Sequence, residues 1–529
     1  MASISPRCSP LTLRVWILFS LVTIALYGCS ADDSGGAADP GGGGDVGKGN
    51  DAGDGGHGSS GNDGGIGASG GDAGADAAHV PTPCEQIAPD GANDPAKNLT
   101  TIVDCLRTEG KAWLTAGTYP IASGIHVPAG AELKGLATPS PVLVLQKETG
   151  GNVTNYMVTL DAATSATPAG AKTHVAGLGL DAHNNIGSVA NAATVMVGGD
   201  DALVESTDIY NDVQGPEAYT AAGVYFICQS CKGNVFKNTK IYNHYYGVIF
   251  RDTLTAATPN QVMGGEIHDI RCDSVTFAGY GEAMGITVHD TGWACNNGPI
   301  PGGGFYALTN TNGAKMIGNI IHDTCGHGLD LDRSSHFIID NNHVYDPGSR
   351  FGGKYNYCAG NAAFLLDVSE STITGNTFEN NGRTYNSGFD PNNVMHASTA
   401  GVFGDLPAGA KTVVAFVLAH RPNGGTDIAD HNTLTGNVLR SFQDPASGYV
   451  GLGYFTSRGS GYAANGDWSA STTNYFTSNT SAGSNVGSVR CGGDWFAGSS
   501  TCIAGSPAPC NDDDYQHTGA FHSDACSTY

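Results

Sequence analysis

"AKMIGNIIHD" (314–323) and "FIIDNNHVYD" (337–346) share one shape. Apolar residues alternate, a Gly-Asn or Asn-Asn pair interrupts them, an aliphatic residue follows, and a ring precedes a closing Asp. Period-2 alternation broken by such a pair reads as strand, tight bend, strand. The shape returns in "ALVESTDIYN" (202–211), "NVFKNTKIYN" (234–243), "NQVMGGEIHD" (260–269), "STITGNTFEN" (371–380) and "NTLTGNVLRS" (432–441). Counted from Ile209, the matching positions Ile241, Ile267, Ile321, Val344, Phe378 and Leu439 are separated by 32, 26, 54, 23, 34 and 61 residues. Two gaps are about double the rest, which predicts a degenerate rung hidden in each. A period in the twenties to thirties, built of strands without helices, is that of a β-solenoid.

Over roughly residues 112–480 this pattern resembles the right-handed parallel β-helix of the pectin lyase-like superfamily. Asn319, Asn342, Asn376 and Asn437 recur at one place and are similar to the asparagine ladder of such coils. "PAKNLTTIVDCL" places Leu99, Ile102, Val103 and Leu106 on one helical face, as in the short helix that caps these coils. The expected fold is therefore all-β, a right-handed parallel β-helix with an N-terminal capping helix. A β-sandwich would need antiparallel hairpins, against which the fixed register argues. The expected organisation is a signal peptide (1–28), a Gly/Asp-rich tether (29–80), the coil (81–483) and a disulfide-rich cap (484–529).

The chain opens with Arg7 and Arg14 followed by an apolar stretch, Val15 to Leu26. That stretch is too short to span a bilayer, which takes roughly 20 residues, and reads as a secretion signal. It ends Leu26-Tyr27-Gly28-Cys29, which resembles a bacterial lipobox. The resemblance implies cleavage before Cys29, lipid attachment to its sulfur and, with Ser30 following, an outer-membrane or cell-surface location. Residues 31–80 hold nine aspartates against Lys48, so −8 of the formal charge of −25 lies in a tether with little to bury. Nothing resembles a basic nucleic-acid footprint, and the chain is expected to act as a monomer. Twelve cysteines follow Cys29, an even number in an exported chain, which points to disulfides. Cys228-Gln-Ser-Cys231 lacks a second ligand pair and reads as a local bridge rather than a zinc site.

A second recurring piece follows the closing Asn or Asp: "GVYFIC" (223–228), "GVIFRD" (247–252), "GITVHD" (285–290), "GLDLDR" (328–333) and "AFLLDV" (363–368). If the first and third residues after the small one point inward, the fourth positions form an outward column. That column holds Arg251, His289, Asp332 and Asp367, and a further rung, "GFYALT" (304–309), is expected between the two pairs. Asp330 and Asp332 then share the outer face ~7 Å apart, with Asp367 stacked ~5 Å from Asp332. That spacing suits inverting glycosidases, in which one carboxyl protonates the leaving oxygen and another activates water. The candidate catalytic residues are Asp330, Asp332, Asp367 and His327, and Arg333 is a cation beside them.

"CGHGLDLDRS" is similar to the Gly-His-Gly strand of polygalacturonases, which implies a substrate-orienting or pKa-tuning role for His327. That family's Asn-Thr-Asp segment and Asp-Asp pair have no counterpart at the expected places, so nothing else is carried over. The alternative chemistry is that of a polysaccharide lyase, with a base and a cation drawn from Arg251, His289, Arg333, Lys354 and Tyr355. Asp290, Asp330 and Asp332 would supply oxygen ligands if Ca²⁺ takes part. Trp293, Tyr355, Tyr357 and Tyr385 lie in long inserts beside this face and are candidates to stack on sugar rings. His322 falls with Tyr210, Tyr242, His268 and Tyr345 at a turn and reads as structural. Outward positions of a solenoid are wet, so charges collect there in a non-catalytic adhesin or scaffold too. The expected function is binding and cleavage of a cell-surface polysaccharide, hydrolysis ahead of elimination.

Overall fold

The computed structural model describes residues 80–146, 155–162, 167, 170–186, 192–212, 221–228, 230–251, 258–293, 295, 302–308, 310–348, 358 and 360–381. Beyond these it describes 411–419, 431–441, 449–457, 474–477, 479, 488–490 and 515–518. Three strands make each rung, and every strand pairs in parallel with its counterpart one rung on. One rung runs Asn312–Ile317, Ile320–Thr324, Leu329–Asp332; the next runs Ser335–Asp340, His343–Pro347, Ala363–Leu366. Their registers are Ala314↔Phe337, Ile321↔Val344 and Leu329↔Ala363. The chain is thus a parallel β-helix with three faces, the third a sheet of twelve strands. One apolar core fills it from Cys84 to Leu439 among the described residues.

The bend between first and second strands explains the Gly-Asn pair. Gly318, Gly375 and Gly436 adopt a left-handed backbone at φ 64°, and Asn341 takes the same place at 54°. Glycine and asparagine enter this region most readily. The next residue is the asparagine of the ladder, turned inward and buried. Asn319 donates from N and Nδ2 to Asn342 Oδ1 at 3.0 and 2.8 Å. Asn342 bonds likewise to Asn376, Asn376 to Asn437, and Asn437 to Asn479. Each Nδ2 also donates to a bend carbonyl, as Asn342 does to Met316 O at 2.7 Å. Every polar atom of these buried amides is used, and the ladder extends one asparagine beyond the expected four.

The closing residue after the ring also has a cause. Asn243, Asp269, Asp290, Asp323 and Asp346 all sit at φ between 48° and 61°. Short polar side chains tolerate that backbone far better than β-branched ones. Of the two double-length gaps, one does hide a rung: Val288 pairs with Ile267 on one side and Ile321 on the other. The second does not, because Phe378 pairs directly with Leu439 and the extra residues form an insertion.

At the N-terminal end, helix Pro95–Glu109 starts at Asp94, whose side chain accepts from Ala96 N and Lys97 N, and stops at left-handed Gly110. It buries Ile102, Cys105 and Leu106, and Cys105 is bridged to Cys84. Further disulfides join Cys228–Cys231, Cys272–Cys295 and Cys325–Cys358. Within 484–529, strands Ser488–Arg490 and Tyr515–Thr518 still pair in parallel with the coil, so the repeat runs past residue 483. The pairing of Cys491, Cys502, Cys510 and Cys526 lies outside the described residues.

Asn376 accepts two bonds and donates two, one of them to Ile339 O at 2.9 Å. Replacing it with Ala leaves several buried groups unpaired, each at about 1–3 kcal/mol. Asn376→Ala is expected to lower the unfolding free energy in urea by at least ~3 kcal/mol, whereas Ile338→Ala at an exposed site changes it by less than ~0.5 kcal/mol.

Candidate active site on the third sheet

The third sheet presents three files of side chains to the outside. Its inward residues, among them Val275, Phe277, Phe305, Ala307, Leu329 and Leu331, are fully buried in the core. The middle file therefore reads Tyr225, Ile249, Thr276, Tyr306, Asp330, Phe364, rung by rung. The far file contains Arg251 and Ala278 on adjacent rungs, then Asp332 and Leu366 on another adjacent pair. The near file, two residues before each first inward position, reads Tyr246, Asp273, Gly303, His327, Asn361; backbone bonds such as Ser274 N to Gly303 O and Gly304 N to His327 O set it. The rung at Phe305–Ala307 stands between the Arg251 and Asp332 rungs, where "GFYALT" was expected, but the other expected neighbour on that side, His289, is not on this sheet.

Asp330 and Asp332 do share this outer face, both half-buried. Arg333 Nη2 lies 3.5 Å from Asp332 Oδ2. His327 stacks on Phe364, with centroids 4.5 Å apart, and its Nδ1 accepts from Asn361 N at 3.0 Å. That bond puts the ring proton on Nε2, and loss of water around the ring lowers its pKa to about 4, so His327 is neutral at pH 7.

Other expected members fall elsewhere. Asp367 is not stacked on Asp332; the register sets Leu366 there and Phe364 beside Asp330. Ala362, not Ala363, takes the place of Gly328, and two small residues in succession shifted the reading by one. Asp367 instead occupies a buried left-handed turn position, φ 55°. His289 belongs to the second sheet, on the hidden rung, since "GITVHD" is a copy of "GNIIHD". Its ring stacks 5.2 Å from His268 and from His322, in a column that continues to Tyr242, Tyr210 and Tyr345. Bonds to Asp290 and Glu266 raise its pKa. Asp290 goes with it, so Asp290, Asp330 and Asp332 do not converge on a Ca²⁺.

Arg251 is on the third sheet but three rungs from Asp332, ~14 Å along the coil, and its Nη1 donates to Tyr225 Oη at 2.6 Å. Trp293 is 1% exposed and no wall for a sugar. It begins a loop whose base is closed by Gly302 N donating to Gly292 O and by the Cys272–Cys295 disulfide. Tyr355, Lys354, Tyr357, Tyr385 and Cys29 lie outside the described residues.

The structure adds Asp273, which sequence reasoning missed. It precedes "SVTF" at the offset by which His327 precedes "GLDL", so the same register contained the signal. Its Oδ1 accepts from Gly303 N at 2.7 Å, and its Oδ2 is 3.4 Å from Cys272 Sγ, a disulfide sulfur with no proton to give. Burial against this single opposing N–H pushes its pKa up to about 7. Burial also raises the Tyr246 hydroxyl, with added contributions from the charges of Asp273 and Tyr306, which mark the three as neighbours. Gly303, without a side chain, separates Asp273 from His327; a Cβ on it would come within 3.6 Å of Asp330 Cβ. Asp273 and Asp330 thus both border one glycine, Asp273 through the bond to its N and Asp330 through its Cβ.

A search of curated protein sequences gives no match. Among solved structures the chain is similar to the Dettilon tailspike protein, at 13% identity, 77% of this chain, 68% of that one and a TM-score of 0.48. It is also similar to the catalytic domain of a GH87 α-1,3-glucanase in complex with nigerose, at 11% identity over 76% and 70% of the two chains, TM-score 0.40. A mannuronan C-5 epimerase A-module from Azotobacter vinelandii shows 12% identity over 68% and 94%, TM-score 0.35. Residues 260–400 match the family model described as "Right handed beta helix region", and with the register of its three ladders the chain is a right-handed parallel β-helix protein.

Proposed function

We propose that this protein binds and hydrolyses a polysaccharide on the outer face of the third sheet, with Asp273 as proton donor and Asp330 as the carboxylate that activates water. The observation that carries this reading is that Asp273 and Asp330, on rungs two apart, both border Gly303 on the rung between them. Their rungs are ~9.6 Å apart along the coil, and Asp273 reaches across to the rung between them through its bond to Gly303 N. Inverting glycosidases hold their acid and base roughly 6.5–9.5 Å apart so that water fits beneath the sugar. Asp273 is protonated in a large share of molecules at neutral pH, which its role requires. His327, neutral and fixed against Phe364, has an Nε2–H to orient a substrate hydroxyl. The pair Arg333–Asp332 holds the far edge. Tyr306 and Phe364 flank Asp330 in the same file as ring surfaces for a glycan chain. A lipid on Cys29 would hold this face at the cell surface, where such polymers lie. Radiolabelled palmitate is then expected to enter the wild-type protein in a bacterial host and not Cys29→Ala.

Incubation with a panel of neutral glycans and uronans is expected to release reducing ends without the absorbance of unsaturated products. Absorbance would mark an elimination, and no release from any glycan would end the reading. A proton donor must be protonated, so kcat should fall as pH rises through about 7. Asp273→Asn and Asp330→Asn should each lower kcat by about 10²–10⁴-fold.

Stability gives an independent check on the same carboxyl. Its folded pKa lies above the unfolded value, so its contribution is fully present below about 4 and is lost as pH rises through about 7. Asn keeps the acceptor for Gly303 N and cannot ionise. Asp273→Asn is therefore expected to raise Tm relative to wild type at pH 9, with little difference at pH 4.

A further inference from the structure

Asp273 and His327 are held by the same device. Each side chain accepts from the backbone N–H of the near-file residue one rung on, Asp273 Oδ1 from Gly303 N at 2.7 Å and His327 Nδ1 from Asn361 N at 3.0 Å. In each case a buried disulfide joins the turn just before the acceptor to the loop that delivers the donor. Cys272–Cys295 does so for Asp273, and Cys325–Cys358 for His327. The first bridge reaches its bond from both ends. Cys272 adjoins Asp273 in the chain, and its Sγ lies 3.4 Å from Oδ2. The Cys295 sulfur lies against Gly302, the residue before the donor: a Cβ built there would come within 2.7 Å of it and 2.6 Å of Cys272 O. Gly302 N is bonded in turn to Gly292 O at 2.7 Å, and Thr291 Oγ1 donates to Cys272 O at 3.2 Å. The titratable groups around the carboxyl are Tyr246 on the rung before, Tyr306, and, across Gly303, neutral His327 and Asp330. Arg271, two residues earlier, lies over the Tyr245 ring at 5.4 Å.

We infer that the Cys272–Cys295 disulfide is the positioning element of the proton donor: it holds Asp273 against Gly303 N and away from water, and opening it disables the acid. The consequence for turnover rests on the proposed hydrolysis, whereas control of the Asp273 proton by the bridge needs no substrate. As a disulfide sulfur, Cys272 Sγ fills the space beside Oδ2 and has no proton to offer it. Burial is the largest influence on this carboxyl and acts upward. With the bridge open, Gly302 and Gly303 are released from the carboxyl and water reaches Oδ2. Reduction adds a thiol at Cys272, a weak donor beside the same oxygen. Both changes favour the ionised form and draw the group back toward the ordinary carboxylate range. A dithiol performs that reduction by giving two electrons and two protons; the bridge becomes two thiols, and the dithiol closes into its own disulfide. The acid is therefore competent in oxidising surroundings and silenced by a dithiol. A bridge kept for stability alone could close its loop at any pair of positions. Here, and again at Cys325–Cys358, it sits at the bond that sets a side chain's proton.

The test uses the full mature chain and reads the carboxyl through the gain in Tm that Asp273→Asn brings at pH 9. That gain is expected in the wild-type background. It should persist in Cys84→Ala/Cys105→Ala, which removes a bridge of nearly equal span at the N-terminal cap, 21 residues against 23. In Cys272→Ala/Cys295→Ala it should largely vanish. Where a glycan is cleaved, the fall of kcat near pH 7 should move down by about one unit or more in that variant, a loss of about tenfold at pH 8. If the double variant does not fold, wild type and Asp273→Asn reduced with dithiothreitol, their free thiols counted, take its place with the same expectation. A gain at pH 9 undiminished by opening the bridge would mark a structural disulfide and overturn the inference. A gain absent from every background would do the same. A bridge-dependent gain without cleavage of any glycan would sustain the positioning role and remove the hydrolase. Cleavage whose pH dependence ignores the bridge would do the reverse.

Discussion

The amide-to-amide ladder that begins at Asn319 is the constraint on which the coil depends. Parallel strands ~4.8 Å apart satisfy their own backbones, but the bends between them turn carbonyls toward an apolar interior. Asparagine closes that account because its carboxamide has the same donors and acceptors as the peptide groups it meets. Each side chain bonds the bend carbonyl of the rung before it and the asparagine of the rung after it. A one-residue slip in any rung would break contact on both sides, so the ladder holds register as well as stability. With register fixed, an outward residue on one rung is set beside its counterpart on the next, and a site can be assembled from residues about thirty apart in sequence.

That coupling explains why the fold was readable from the chain alone. Gly318 and Asn319 had to recur, since few residues accept the left-handed bend and none replaces the buried amide. The closing Asp323 and Asp346 had to recur for a similar backbone reason. What the repeat did not distinguish was one face from another. "GITVHD" and "GLDLDR" alternate alike, yet Val288 belongs to the second sheet and Leu331 to the third. The difference lies in which neighbours they pair with, a long-range property that alternation does not encode. An insertion and a hidden rung also look alike as spacing: a second-sheet strand lies between Ile267 and Ile321, whereas Phe378 pairs directly with Leu439.

At the candidate site the legible part was the pair on one strand. Asp330 and Asp332 are two residues apart in any β-strand, so their common face follows from local geometry. Asp367 failed because its place depended on choosing between Ala362 and Ala363, and only pairing with Leu329 decides that. Trp293 failed because a long loop can fold its aromatic residues under itself as readily as present them. Asp273 was missed for a different reason. It precedes its strand rather than lying within it, and its chemistry comes from burial, which a sequence does not display.

Burial alone does not make an acid, and two carboxyls of this coil show the difference. Glu282 is as deeply buried as Asp273. Burial is the largest influence on Glu282 as well, and it acts upward. Yet Lys315 at 2.7 Å, Gln261 at 2.6 Å and Tyr280 at 2.9 Å together outweigh it, and the group is held below its ordinary value as a carboxylate. Glu282 is a structural ion built into the first sheet, with its charge compensated on every side. Asp273 receives one backbone N–H and faces a disulfide sulfur. A carboxyl kept only for folding would gain from a cation such as Lys315, because removing an uncompensated charge from water costs several kcal/mol. The lack of any such cation among its described partners leaves Asp273 able to hold a proton near pH 7 and to release it.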